Sequence, residues 1–312
     1  MHKIITITVN PALDKSTSAK NIVSDDKIRC ASPVYEPGGG GINVSRAIKK
    51  LGGESCAWFL AGGPPGVKLQ ELLKEEEVDF WAVETRNWSR ENLMVVDEAI
   101  GKQYRFGMPG SETYEEEWMQ IINRLEKLEE VPEYVIASGS LPPGVPDDFY
   151  YQLAVIANKR NFKLIVDTSG AALLKAASES IFLLKPNQAE LPALAEQDKV
   201  HPLAMEDVAM KVLEEGKCQV LVVSLGPRGA MLATKEKGIS YVVPPSVKQG
   251  SAVGAGDSMV AGMVLGLQRG YDMEDVVRYG VAAGSAATIT PGSELCRKAD
   301  TEAIYQWLQQ HK

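Results

Sequence analysis

Residues 134–167 open with Tyr134-Val135-Ile136-Ala137, run through a helical pattern over Asp147–Lys159, and return to Lys163-Leu164-Ile165-Val166-Asp167. Both apolar runs are short and lack polar alternation, as expected of strands buried on both faces. A strand, a helix and a second strand at this spacing predict parallel pairing under a covering helix. The pattern continues outward in both directions. Strands read at Ile4–Val9, Ala57–Ala61, Ile181–Leu184 and Val220–Ser224, and helices at Gly41–Leu51, Val67–Glu77, Glu115–Glu130 and Met205–Glu215. The expected class is α/β: a doubly wound, mostly parallel sheet with helices on both faces. The last third differs, with a hairpin of Ala230–Thr234 and Ile239–Val243, then helices at Gly254–Arg269, Met273–Ile289 and Asp300–Gln310.

Two segments cannot easily join a parallel sheet, at about Ile22–Tyr35 and Asn92–Met108. In the second, Leu93–Glu98 and Gln103–Phe106 flank a turn, which is a hairpin signal. They read best as a small β-sheet lid, formed by excursions at about 14–36 and 90–108 from one domain spanning 1–312.

Composition narrows the chemistry. The 312 residues carry 33 Lys and Arg against 41 Asp and Glu, a net charge of −8. That balance argues against generic nucleic-acid or membrane-surface binding, which want a basic field. No apolar run reaches the length of a membrane span, and the first ten residues alternate like a strand, without the apolar core of a signal peptide. The expected location is cytoplasmic. Cys30, Cys56, Cys218 and Cys296 form no close pair, and the histidines are only His2, His201 and His311. Zinc knuckles, CxxC redox sites and serine-hydrolase triads therefore have little to work with. No P-loop of the G-x-x-x-x-G-K-[ST] form is present. An enzyme built on this chain must rely on carboxylates, basic residues and backbone amides.

Four stretches offer such chemistry. Gly254-Ala255-Gly256-Asp257 opens a predicted helix, where turned backbone amides and the helix N-terminus favour an anion. Asp257 in the first turn suits a general base that deprotonates a hydroxyl attacking a phosphate; as a bare feature it also suits a helix cap. Pro37 through Asn43 carries four consecutive glycines, Gly38, Gly39, Gly40 and Gly41. They cost backbone entropy, so close approach of a small polar ligand explains them better than a hinge does. Lys185-Pro186-Asn187-Gln188-Ala189-Glu190 places Asn187 and Glu190 a turn apart, where they could order the water shell of Mg²⁺ or simply cap a helix. Ser224 through Ala230 forms a glycine turn after a strand, able to hold nucleotide phosphates or merely to join two strands.

In this order the four stretches resemble the PfkB (ribokinase-like) family of carbohydrate kinases over essentially the whole chain. The two family signatures are recognisable at Gly38–Asn43 and at Gly250–Ser258. Asn10 through Asp14, the uninterrupted glycine run, Gln103-Tyr104-Arg105-Phe106, Ser138 through Gly144 and Lys185 through Gln188 are similar to the members that phosphorylate fructose 6-phosphate. The resemblance implies Asp257 as catalytic base, with Gly254, Ala255 and Gly256 as its anion hole. It implies sugar-phosphate contacts at Asp14, Gly39, Gly40, Gly41, Asn43, Arg90, Arg105 and Ser140, with Lys27 reaching in from the lid. Nucleotide contacts follow at Lys185, Asn187, Ser224, Leu225, Gly226, Pro227, Arg228 and Gly229, with Val281 and Ser285 beside the adenine. Glu190 would tune Mg²⁺ through water. Carbonyls around Ser251, Val253, Ala287, Thr290 and Gly292 would hold K⁺, although Glu294 stands where similar chains carry Arg.

The implied activity is transfer of the γ-phosphoryl of ATP to the 1-hydroxyl of fructose 6-phosphate, by a homodimer paired through its lids. Tagatose-6-phosphate kinase and 1-phosphofructokinase are the alternatives within the family, and a non-catalytic sugar-phosphate- or nucleotide-binding regulator the alternative outside it. Independently of any resemblance, Lys27, Arg29, Arg90 and Arg105 cluster in the predicted lid of an acidic chain, as a dianionic substrate would require.

Overall fold

The computed structural model describes residues 2–195, 205–247, 250–290, 292 and 294–311. The expected strand–helix–strand unit is β8 (Tyr134–Ser138), α4 (Phe149–Arg160) and β9 (Lys163–Asp167), with β8 and β9 parallel. It lies near the middle of a nine-stranded sheet ordered β13-β12-β11-β10-β9-β8-β1-β4-β5. The other members are β1 (Ile4–Thr8), β4 (Cys56–Ala61), β5 (Asp79–Glu84), β10 (Ile181–Leu184), β11 (Cys218–Ser224), β12 (Ala230–Thr234) and β13 (Gly238–Val242). Seven adjacent strands pair in parallel; β12 alone runs against them, and β13 returns to their direction as the second arm of the expected hairpin.

Two helical layers cover the sheet, because successive side chains of a strand point to opposite faces. Ile5, Ile7, Val135, Leu164 and Val166 pack under α3 (Glu115–Lys127), α4, α5 (Gly170–Ala176) and α7 (Met205–Glu214). Ile4, Ile136, Ile165 and Leu183 pack on the other side, under α1 (Gly40–Lys50), α8 (Ala255–Gln268), α9 (Met273–Ile289) and α10 (Lys298–Gln310). The short α6 (Leu191–Leu194) precedes α7. The apolar runs are continuous because both of these faces are dry. Helix α2 (Gly63–Glu75) starts four residues before its periodicity suggests, since Pro64 and Pro65 sit in a first turn that needs no N–H from them.

A second sheet of four strands, β3-β2-β6-β7, is present as expected, but its strands differ from the expectation. The hairpin is β6 (Arg90–Asp97) with β7 (Lys102–Phe106). The strand expected over 22–35 is largely irregular, with a single bridge between Ala19 and Cys30. Its place is taken by β2 (Ala12–Ala19) and β3 (Val34–Gly38). β2 reads Ala-Leu-Asp-Lys-Ser-Thr-Ser-Ala, and residues 14–18 are only half-buried. It is held as a strand by partners on both edges, β3 antiparallel and β6 parallel, not by an apolar pattern.

At Gly262 helix α8 rests directly on the backbone of α9. A Cβ on Gly262 would lie 2.7 Å from the Tyr279 carbonyl oxygen and 2.9 Å from Ala283 Cβ. Gly262→Ala should therefore destabilise the protein, although alanine is the better helix former by about 1 kcal/mol. Forcing two backbones apart costs about 1–3 kcal/mol net, enough to lower the melting temperature by several degrees. An unchanged or raised melting temperature would contradict the contact.

Candidate active site

Ligands of open parallel sheets collect beyond the carboxyl ends of the strands, and that is where this chain gathers its polar groups. Asp167 ends β9, Lys185 follows β10 and Ser224 ends β11. The Lys185 ammonium, 6% exposed, pairs with Asp167 Oδ2 at 3.0 Å. Opposite them, Gly254 adopts φ +70° as the N-cap of α8, a left-handed turn that glycine makes at no steric cost. Ala255, Gly256 and Asp257 then form the first turn, whose N–H groups have no partner within the helix. A Cβ on Gly256 would meet nothing but Lys185 Nζ, at 3.7 Å. The space in front of that turn thus faces a cation.

Asp257 is the centre of the constellation. Its Oδ2 accepts from Asn43 Nδ2 at 2.9 Å, across two helices. Its pKa is pushed up to about 6, first by loss of water and then by the charges of Asp167 and Asp14; Asn43 and Lys185 oppose the rise. Asp14, on β2, accepts from Asn92 Nδ2 at 2.8 Å, and desolvation raises its pKa against the pull of Arg90 and Arg46. Arg90 opens β6 and spans the base of the small sheet, donating to the carbonyls of Met108 at 2.9 Å and Asn10 at 3.1 Å. Its Nε is buried without a partner. Ser140 Oγ accepts from Asn10 Nδ2 at 3.1 Å. A groove of about 200 Å³ on the small sheet is lined by Asp14, Asn92 and Arg105, with Val253 of the loop before α8 closing one side.

On the other side of the α8 N-terminus lies a larger cavity of about 400 Å³. Ser224, Gly226, Pro227 and Gly229 form one wall, Val281 and Ser285 another. Leu225 turns inward into the core, and Arg228 reaches out to Gln188 Oε1. Pro244, Pro245, Val247, Met259 and Thr288 complete the lining and were not expected from the sequence. A Pro-Pro pair after a strand is a signal of a rigid wall, but only the fold brings it opposite α9.

Several of the expected residues also have partners within the protein itself. The glycine run packs tightly against its neighbours. A Cβ on Gly40 would lie 2.2 Å from Ser138 Oγ, one on Gly41 2.6 Å from the Ile7 carbonyl, and one on Gly39 2.8 Å from Thr8 Cγ2. Asn187 and Glu190 close their own turn: Asn187 Oδ1 accepts from the N–H groups of Ala189 and Glu190, and Glu190 Oε2 accepts from that of Asn187 at 2.8 Å. Lys27 is exposed, and its only hydrogen bond among the described residues runs from its backbone N–H to Asp26. Arg105, likewise exposed, bonds Gln103 Oε1 beside the groove. Ser251 donates its backbone N–H to the Thr288 carbonyl, and Thr290 Oγ1 donates to that of Ala287. These bonds tie the 250–251 loop and Thr290 to the end of α9, while Val253 and Gly292 lie on loops outside the helices.

The fold and this arrangement define a kinase of small polar molecules, and the chain belongs to the PfkB family: the pfkB family carbohydrate kinase model matches residues 5–300. A curated relative, the ATP-dependent 6-phosphofructokinase isozyme 2 of Escherichia coli (strain K12), is 47% identical over 309 residues, 99% of each chain. Solved structures of phosphofructokinase-2 from Escherichia coli are similar throughout: one in complex with potassium (TM-score 0.94), one in complex with fructose-6-phosphate (0.92) and one of a tetrameric inhibited form (0.92). Each of the three is 45% identical and covers 99% of this chain and 100% of the other.

The raised pKa of Asp257 has a consequence for stability. The folded carboxyl holds its proton up to about pH 6, the unfolded one only to the ordinary aspartate value of 3.8. The native state binds the extra proton between those values, so stability falls as pH rises through that window. Asp257→Asn, which keeps an acceptor for Asn43 and carries no charge, should melt at or above the parent at pH 7.5. That advantage should vanish near pH 4. A variant that melts clearly below the parent at pH 7.5 would mean that the carboxylate is a stabilising cap.

Proposed function

We propose that this protein transfers the γ-phosphoryl group of ATP to the 1-hydroxyl of fructose 6-phosphate. The observation that carries the reading is the placement of Asp257, desolvated and one turn into α8, between the 400 Å³ cavity and the groove beside Asp14. The cavity, walled by apolar and small residues, fits a purine nucleoside; the groove fits a sugar. Asp257 then takes the proton of the attacking hydroxyl. The free N–H groups of Ala255 to Asp257, with Lys185 beside Gly256, face the charge that builds on the transferring group. Asp14 and Asn43 hold sugar hydroxyls, while Arg90, Arg105 and Ser140 receive the 6-phosphate. Gly39, Gly40 and Gly41 place backbone amides beside them. In the nucleotide cavity Ser224 through Gly229 meet the phosphates and ribose, and Val281 and Ser285 the base; Asn187 Nδ2 completes that side.

Among the described residues no three acidic, His or Cys side chains cluster as a metal cage. Mg²⁺ needs none, since it keeps most of its waters and shares the rest with substrate phosphates. The carboxylates of Asp167, at the end of β9, and of Glu190, after β10, are hard oxygen donors of the kind that would suit Mg²⁺ held through water. Bound there, Mg²⁺ would neutralise phosphate charge. Backbone carbonyls of Ser251, Val253, Ala287, Thr290 and Gly292 would be the ligands of a monovalent cation such as K⁺, and the anion-binding turn would gain from a charge beside it.

Assay of ADP release with Mg²⁺ and a panel of fructose 6-phosphate, tagatose 6-phosphate and fructose 1-phosphate tests the reading. Fructose 6-phosphate should give the highest kcat/KM, and chelation of Mg²⁺ should abolish turnover. Asp257→Asn should lower kcat by roughly 10²–10⁴-fold, and the parent's activity should fall on the acid side of about pH 6 with a one-proton slope. Preference for another ketose phosphate, or a variant keeping a tenth of parental turnover, would overturn the assignment of substrate or of base.

The small sheet exposes Val34, Tyr104, Phe106 and Met108 on its edge strands and their flank, Tyr104 at 38% and Phe106 at 49%. We infer that it works as a lid and pairs with a second copy, since bare apolar edges invite pairing. In such a pair Lys27 would meet the neighbour's groove and not its own. Sedimentation at micromolar concentration should give a dimer or a multiple of it; a fully active monomer would refute the pairing.

A further inference from the structure

Arg46 has no part in the chemistry above, yet it is the largest fully buried side chain among the described residues. It sits one turn after Asn43 on α1, so both project from one face. Its guanidinium reaches three separate elements. Nε and Nη2 fork onto the Glu76 carboxylate at the end of α2, at 2.8 and 2.7 Å. Nη1 donates to the Pro37 carbonyl of β3 at 2.8 Å and lies 3.5 Å from Asn43 Oδ1. Nη2 stands 3.5 Å from Glu36 Oε1.

Stability alone does not account for such a group. A buried ion pair is often no better than apolar side chains of the same volume, because desolvation offsets the attraction. Each contact of Arg46 instead backs a residue of the sugar side. The Asn43 amide has one orientation that suits both neighbours, with its nitrogen on the Asp257 carboxylate and its oxygen toward the guanidinium. Strand β3 pairs Glu36 with Asp14, and Gly38 lies so close behind Asp14 that a Cβ there would be 2.3 Å from Oδ2. Pinning Pro37 therefore fixes the wall against which Asp14 rests.

We propose that Arg46, clamped by Glu76, is a positioning residue for the sugar-phosphate half of the site, holding the Asn43 amide toward Asp257 and β3 behind Asp14. The inference deepens the functional reading above and rests on it. None of the Arg46 contacts reaches the 400 Å³ cavity, so its loss should fall on one substrate.

Steady-state constants of the full-length protein, with melting temperatures, test this in Arg46→Met, Arg46→Lys and Glu76→Gln. Arg46→Met should raise KM for fructose 6-phosphate about tenfold while KM for ATP stays within about twofold, the result of losing orientation on one side only. Arg46→Lys should recover part of that loss, since one ammonium can still reach Pro37 but cannot fork. Glu76→Gln, altering a partly exposed group, should move the same constant in the same direction by less. A folded Arg46→Met with the parental sugar constant, or with both constants shifted alike, would reduce Arg46 to a packing element. Should that variant fail to fold, Glu76→Gln decides by the same comparison. A parent that releases no ADP with fructose 6-phosphate would fell the substrate reading, and this inference with it; a parent that does, beside an unaffected variant, would fell only the positioning role.

Discussion

A carboxylate taken out of water at the start of a helix is the constraint around which the rest of this molecule is arranged. Removing Asp257 from solvent raises its pKa to about 6 and makes it costly to ionise. A core aspartate in that state is tolerable only if its surroundings are polar, fixed and few. The chain meets the requirement with one amide, from Asn43, and one cation at longer range, Lys185, itself balanced by Asp167. More positive charge would hold Asp257 permanently ionised and weaken it as a base; less would leave it protonated at neutral pH. The close contact of α8 with α9 and the packed glycines under α1 keep the two helices where this balance holds.

The two sheets divide the remaining work. Groups that would meet the donor lie at the carboxyl ends of β9, β10 and β11 and on α9, all parts of the large sheet and its helices. Groups that would meet the acceptor lie on β2 and β6, with Asn10 and Ser140 on loops beneath them. Helix α1 joins the two halves: its first turn packs on β1 and β8, Asn43 reaches Asp257, and Arg46 reaches β3.

Much of this was legible in the sequence, and the failures have physical reasons. Continuous apolar strands such as Leu164–Val166 are readable because burial on both faces leaves no room for polar residues. β5 escaped notice because, at the sheet edge, it is buried on fewer sides. β2 is polar over 14–18 and is made a strand by its neighbours, which no local pattern reports. The helix start at Gly254–Asp257 announces itself by glycines beside a carboxylate, and the family resemblance ordered the remaining motifs. At Gly39–Gly41 the glycine run also reflects close packing against Thr8, Ser138 and Ile7, which no count of glycines reports. Asp167, Asn92 and Arg46 were missed because a single charged or amide residue carries no signature until the fold shows what it touches.

The pairing of β2 with β6 sets a rule for which insertions the chain can accept. The register places Ala12 beside Arg90 and Asp14 beside Asn92. A one-residue slip in a strand turns every side chain to the opposite face. A slip of β6 against β2 would therefore turn Asn92 out of the groove and take Arg90 off the Met108 and Asn10 carbonyls together. The turn at 98–101 lies past that pairing and governs only β7. A change of length there leaves the β2–β6 register untouched, whereas the connection ahead of Arg90 feeds directly into it.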